Sequence, residues 1–260
     1  DGRKFGVHLE YVHEPKILGT SGALDNARSL LDSGTFVVIN GKLITDLDLG
    51  AALQHHRAQN ALATLVLKPN VARERFSIVE THDGLVTKFA GMPSPAASDS
   101  EPPLMFTGIH IMEPRIFDYI PRGIFSDTVI DAYPQAMAKG ERIVAHIADG
   151  IWHELSTLQR YLQISLALLR EQHRDVYTGA NPLIDSKADV HESVFWDNVI
   201  VESGASVRRA VIGDRVHIRK GEVVKDAVVV RADLVAGRQV PAKALKGEVR
   251  GDNFVVPLSQ

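Results

Sequence analysis

The chain has 260 residues, 45% of them hydrophobic and 23% charged, with a formal net charge of −3 and no cysteine. These totals exclude disulfides, thiolate metal sites and cysteine nucleophiles, and they give no electrostatic reason to expect nucleic acid or an anionic membrane as partner. No apolar run approaches the roughly 20 residues a membrane helix needs, and no signal peptide is visible, so a cytoplasmic protein of one or two domains is expected.

Along the first 176 residues, short apolar runs alternate with helix-period segments. Val7 to Val12 alternates like a strand. Ser21 to Leu31 sets Ala23, Leu24, Ala27, Leu30 and Leu31 on one helical face, ended by Ser33-Gly34. Thr35 to Ile39 is a continuous β-branched and aromatic run, as in a strand buried on both faces. Asp48 caps a helix running toward Gln59, and Leu62 to Leu67 reads as another buried strand. This rhythm predicts an open α/β sheet, with ligands bound beyond the carboxyl ends of strands, so the residues just after Ile39 are the first place to look for chemistry. Gly91 to Pro103 is an expected exposed loop, and Leu104 to Ile111 returns to strand. Ser156 or Thr157 caps a long helix carrying Leu158, Leu162, Leu166 and Leu169, which ends near His173; Tyr177 to Pro182 reads as a linker.

Beyond that linker the chain repeats. Ile184, Val201 and Ile218 form one set, Val190, Val207 and Val224 a second, and Phe195, Ile212 and Val229 a third, each stepping by 17 residues. Gly204 and Gly221 keep the same step, as do Asp197 and Asp214. A three-sided coil with one inward apolar residue per side accounts for three interleaved sets on one period. Two domains are therefore expected, at 1–176 and 183–260.

Glu14-Pro-Lys-Ile-Leu-Gly-Thr-Ser-Gly-Ala-Leu24 resembles a stretch of the sugar-1-phosphate nucleotidyltransferases, with the mannose-1-phosphate guanylyltransferases most similar. Phe36 to Gly41, Phe106 to Ile109, Tyr133-Pro134 and Trp152 to Thr157 continue the resemblance in the same order. It implies a Rossmann-like open mixed sheet followed by a short left-handed β-helix. It also implies transfer of a nucleotide from a nucleoside triphosphate to a sugar 1-phosphate, with Mg2+ as cofactor and a homo-oligomer formed through the β-helix. By resemblance, Glu14, Gly19, Thr20, Ser21, Gly22, Asn40 and Gly41 bind nucleotide, while Thr107 and Gly108 hold the sugar. Glycines at Gly19 and Gly22 let a backbone approach a flat base closely, the alternative being that they only shape a strand-to-helix turn. The helix beginning near Ser21 is expected to aim its amide donors at the base pocket.

Four departures stand beside these matches. The family's glycine-rich phosphate loop and first strand are not in this chain, so a preceding segment is expected. Where the family has a magnesium-binding aspartate, this chain has Lys42, whose ammonium cannot ligate the ion but can neutralise phosphate. The second metal aspartate corresponds to Glu154, leaving Lys42 and Glu154 as the catalytic candidates and Glu154 as the metal ligand. The lysine expected on the sugar phosphate corresponds to Met92, with Lys88 nearby. An active nucleotidyltransferase is the leading expectation, a non-catalytic sugar-nucleotide-binding regulatory subunit the alternative, and an acyltransferase working through the coils ranks last.

Overall fold

Seven strands and four α-helices of the first unit follow in order: α1 (Gly19–Asn26), α2 (Arg28–Leu31), β1 (Phe36–Ile39), β2 (Leu43–Thr45), α3 (Leu49–Gln59), β3 (Ala63–Pro69), β4 (Val79–His82), β5 (Leu85–Phe89), β6 (Leu104–Met112), α4 (Tyr133–Ala138) and β7 (Ile143–Ile147). They come from a computed structural model that describes residues 2–89, 91, 101–240, 242 and 244–258. Most of the loop expected at Gly91 to Pro103, Met92 included, lies outside the described residues. The chain forms two compact units, Asp1–Trp152 and His153–Gln260. Among the described residues, no helix is long and apolar enough to cross a membrane.

The first unit is built on a six-stranded mixed sheet in the order β1-β6-β3-β7-β5-β4. Only β3 and β7 run parallel; the other pairings are antiparallel. Strand β3 is central, and Ala63 to Leu67 are fully enclosed, as its unbroken apolar run predicts. Its two faces feed separate cores. Leu65 and Leu67 pack with Met112, Ile116, Tyr133 and Ile143, whereas Val66 packs with Ile109, Ile111, Ala52 and Trp152. Asp48 caps α3 as expected, its side chain accepting from the Ala51 amide at 2.9 Å.

Three expectations need correction here. Thr35 to Ile39 is not buried on both faces: β1 is an edge strand, and Val37 and Ile39 are 41% and 45% exposed. A composition suited to burial cannot by itself distinguish a central strand from an edge. Val7 to Val12 forms no strand, because alternation yields a strand only where another backbone supplies the ladder, and none pairs with it. The helix expected from Ser21 to Leu31 breaks at Ala27 into α1 and α2, which leaves Leu30 exposed rather than on the core face.

The short strand β8 (Trp152–Glu154) spans the junction in sequence, and α5 (Leu158–Glu171) opens the second unit. Thr157 is its cap, accepting from the Arg160 amide at 3.1 Å, and His173 ends it in a left-handed conformation. Seven parallel strands then wind the coil: β9 (Val176–Thr178), β10 (Leu183–Ile184), β11 (Asp189–His191), β12 (Ser193–Phe195), β13 (Ile200–Val201), β14 (Ser206–Ile212) and β15 (His217–Ile218), with β16 (Val223–Arg231) completing it. The registers are those of the 17-residue repeat. Ile184 faces Val201 and Val201 faces Ile218; Val190, Val207 and Val224 align; so do Phe195, Ile212 and Val229. All three sets meet in one core. The corners repeat too, with positive φ at Asn181, Asn198 and Arg215, at Glu192, Arg209 and Asp226, and at Gly204 and Gly221.

This is a β-helix of about three turns, and it begins earlier than expected: Tyr177 and Thr178 belong to β9, not to a linker. Its last strands, β17 (Glu248–Arg250) and β18 (Asn253–Pro257), form an antiparallel hairpin on β16 instead of another coil. Helix α5 lays Leu162, Leu166 and Leu169 over Val194, Val211 and Val228, the outward residues of one side. Ile212 is fully enclosed, so Ile212→Ala is expected to lower stability by about 2–5 kcal/mol. Urea unfolding followed by circular dichroism checks this.

Candidate active site at a bulge in the central sheet

A sheet strand rarely tolerates an interior glycine unless something displaces the backbone there. Opposite β3 the register of β6 slips: Leu65 faces His110, but Leu67 faces Phe106. Three residues of β6, Thr107 to Ile109, thus stand opposite Val66 alone, and Gly108 takes a left-handed φ of 79°. The ladder bonds lost to this bulge are replaced one by one. The Thr107 hydroxyl donates to the Val66 carbonyl at 2.7 Å. The Trp152 indole N–H donates to the Thr107 carbonyl at 2.9 Å, and the Asn40 amide to the Gly108 carbonyl at 3.1 Å. Bulges of this kind re-aim backbone next to ligand sites.

The bulge brings together four of the residues singled out from the sequence. Asn40 and Gly41 follow β1, and the Asn40 side chain lies against Gly108 so closely that a Cβ there would overlap its Nδ2 atom. Thr107 is buried with its hydroxyl committed to Val66, and Gly108 beside it is buried too, its carbonyl accepting from the Asn40 amide. Lys42 comes next, exposed in the turn before β2. Trp152 was visible only as part of a motif; its role in holding the bulge depends on a contact between residues 45 positions apart.

The segment from Glu14 to Gly22 occupies a second cluster. The Asn26 side chain donates to the His13 carbonyl at 3.2 Å, tying the residue before Glu14 to the end of α1. Gly19, at φ 76°, and Gly22 pack against the backbone of residues 124–126, where a Cβ on either would overlap a carbonyl oxygen. The Ser21 and Gly22 amides both donate to the Ser126 carbonyl, at 3.2 and 3.3 Å. The expected aim of these amides at a base pocket is thus corrected: the first turn of α1 spends them on a neighbouring loop. Ser21 donates to the Ser126 hydroxyl, and Thr20 donates to Asp127 while accepting from the Thr128 amide. Asp25 anchors the same loop. Burial opposes its charge, but the Gly123 amide and the Arg28 and Arg122 guanidiniums outweigh that and hold its carboxyl below the usual range.

A link between the clusters runs through His110. It sits on β6 between Phe106 and Tyr133, bonded to the Tyr133 hydroxyl. Burial pushes its pKa down to about 3, against a smaller opposing pull from Asp127. Lys88 is directed elsewhere, lying 3.8 Å from Glu80 on an exposed hairpin. Glu154 lies in the second unit, its carbonyl accepting from Arg160 at 3.0 Å. Among the described residues, no three His, Asp or Glu side chains gather as a metal site requires. With Lys42 after β1, this donor set does not fit a magnesium ion held by protein groups alone, since the ion needs several oxygen ligands.

The family model described as "Nucleotidyl transferase" matches residues 1–171, and one described as "GlmU-like, C-terminal hexapeptide" matches residues 174–242. A UTP–glucose-1-phosphate uridylyltransferase from Synechocystis is 30% identical, covering 76% of this chain and 55% of that protein. A mannose-1-phosphate guanylyltransferase from Mycobacterium tuberculosis is 27% identical over 65% of this chain and 47% of its own length. The catalytic subunit beta of mannose-1-phosphate guanylyltransferase from Drosophila pseudoobscura is 28% identical over 73% and 52%. The chain spans about half the length of the curated relatives it matches.

The depressed pKa of His110 makes a pH prediction. Folding favours the neutral ring, so its contribution is complete above about pH 6.5 and is lost as pH falls from there toward 3. Stability should fall by up to about 1.4 kcal/mol per pH unit from this group, and His110→Gln should flatten that slope. Urea unfolding at pH 7.5 and pH 5 compares the two proteins.

Proposed function

This chain belongs to the nucleotidyl transferase family, and from that premise we propose that it joins a nucleoside triphosphate to a sugar 1-phosphate, giving an NDP-sugar and pyrophosphate. The observation that carries the proposal is the juxtaposition of Asn40, at the end of the edge strand β1, with the bulged Gly108 of β6. A phosphate oxygen of the sugar 1-phosphate attacks the α-phosphorus, a P–O bond forms, and the bond to the β-phosphate breaks with pyrophosphate leaving. Such transfer depends on holding attacking and leaving oxygens in line and on offsetting charge at the phosphates.

Each residue has a part in this scheme. Gly108 presents backbone to the sugar, with Thr107 and Trp152 holding it in place. Asn40 and Gly41 line the nucleotide side, and Lys42 supplies positive charge to phosphate. Glu14 and the Gly19 to Gly22 turn border the base, their glycines serving packing as well. Glu154 is the carboxylate that would hold a divalent metal together with substrate phosphates. The chain acts in the cytoplasm as a homo-oligomer assembled through the flat sides of its β-helix. Guanine nucleotide with mannose 1-phosphate and uridine nucleotide with glucose 1-phosphate are the first pairs to try, since relatives of both descriptions match.

Pyrophosphate release by the full-length gene product, across nucleoside triphosphates and sugar 1-phosphates, is the test. Turnover with one pair is expected, whereas tight nucleotide binding without turnover by any pair would replace the proposal with a regulatory subunit. Lys42→Ala should weaken triphosphate use by about 10- to 100-fold, the range of a charge-assisted hydrogen bond. Gly108→Ala should raise KM for the sugar phosphate far more than KM for the nucleotide, because the added methyl displaces Asn40 and strains a left-handed position.

A further inference from the structure

The second unit contains a cavity of about 500 Å3 that the proposed chemistry does not use. It opens where the last turns of α5 pass the first coil of the β-helix, with Leu169 and Val194 as its floor. The volume is in the range of small-ligand sites.

Its walls follow from the 17-residue register. Trp196 follows Phe195 at the end of β12, and the residues 17 positions to either side are Gly179 and Gly213. An indole flanked by two glycines has no side chain above or below it in the neighbouring coils. Trp196 is accordingly 49% exposed, and among the described residues no ring or cation stacks on it. One position further along the same ladder stand Asp197 and Asp214, two carboxylates on successive coils. Asp197 accepts from the Ala180 amide at 2.7 Å; Asp214 accepts from Asn198 at 3.2 Å and lies 3.5 Å from Arg215. Tyr177, 44% exposed, lines the cavity too, and the Arg174 guanidinium already rests 5.8 Å from its ring centroid.

Aromatic faces beside carboxylates attract cations twice, through the ring quadrupole and through charge, and the Arg174 guanidinium over Tyr177 shows a cation resting on a ring within the same walls. The Arg174 guanidinium of the lining rests on Tyr177, which leaves the Trp196 face open, and Asp197 and Asp214 bring negative charge beside it while keeping their bonds to Ala180, Asn198 and Arg215. We propose that this groove binds a small organic monocation, with a quaternary ammonium or guanidinium head set on Trp196 and facing Asp197 and Asp214. Binding there is separate from nucleotide transfer and holds whether or not the chain turns over.

Titration of the full-length protein with choline and with methylguanidinium, followed by tryptophan fluorescence, tests this. The neutral alcohol 3,3-dimethylbutan-1-ol serves as comparator. A saturable change with at least one cation is expected, absent with the alcohol and absent when Trp196→Phe removes the reporter. Asp197→Asn with Asp214→Asn keeps the acceptor oxygens that hold the coil and should weaken binding about tenfold, as loss of two exposed ion pairs implies. No saturable change with either cation, equal binding of the alcohol, or unchanged affinity in the double variant would overturn the proposal. Should the double variant not fold, the salt dependence of the wild-type affinity decides, with weakening at high ionic strength in favour and insensitivity against.

Discussion

Three residues of β6 opposite one of β3 make the bulge on which the first unit's site depends. A register slip in a central strand strands backbone carbonyls inside a core, and each must find a donor. The Trp152 indole, the Asn40 amide and the Thr107 hydroxyl provide them or take their place in the ladder. None of these is dispensable alone, because a buried carbonyl without a donor costs about 1–3 kcal/mol. The result is a short length of backbone turned away from the sheet plane and fixed there.

That arrangement explains why the site residues are shared between strand ends instead of lying on one loop. Asn40 serves two purposes at once, closing the ladder with its amide and covering Gly108 with its side chain. Thr107, by contrast, is consumed by the fold. Its hydroxyl donates to the Val66 carbonyl and so is committed to the bulge. The turn of α1 behaves alike: its glycines and first amides are used against residues 124–126 before any ligand is considered.

The β-helix obeys a simpler rule. Its core residues, corners and charged ladders all recur on one spacing, so each coil is a template for the next. Departures from the repeat are therefore informative. Trp196 between two glycines is one, since a bulky residue without bulky neighbours leaves room beside it. The closing hairpin of β17 and β18 is another, covering the last coil with antiparallel strands where a fourth turn would leave an open edge.

Periodic features were legible in the sequence because periodicity is a local property. The inward sets through Ile184, Val190 and Phe195, the buried run of β3, the caps at Asp48 and Thr157 and the family resemblance all needed only residue spacing and order. An interior glycine at Gly108 even signalled the bulge, had strand glycines been weighed that way. What the sequence could not convey was which strand lies at an edge, why Val7 to Val12 stays irregular, and which donors a bulged carbonyl would find. Those outcomes turn on partners far away along the chain, as Trp152 is from Thr107, and only the folded chain brings such partners within hydrogen-bonding distance.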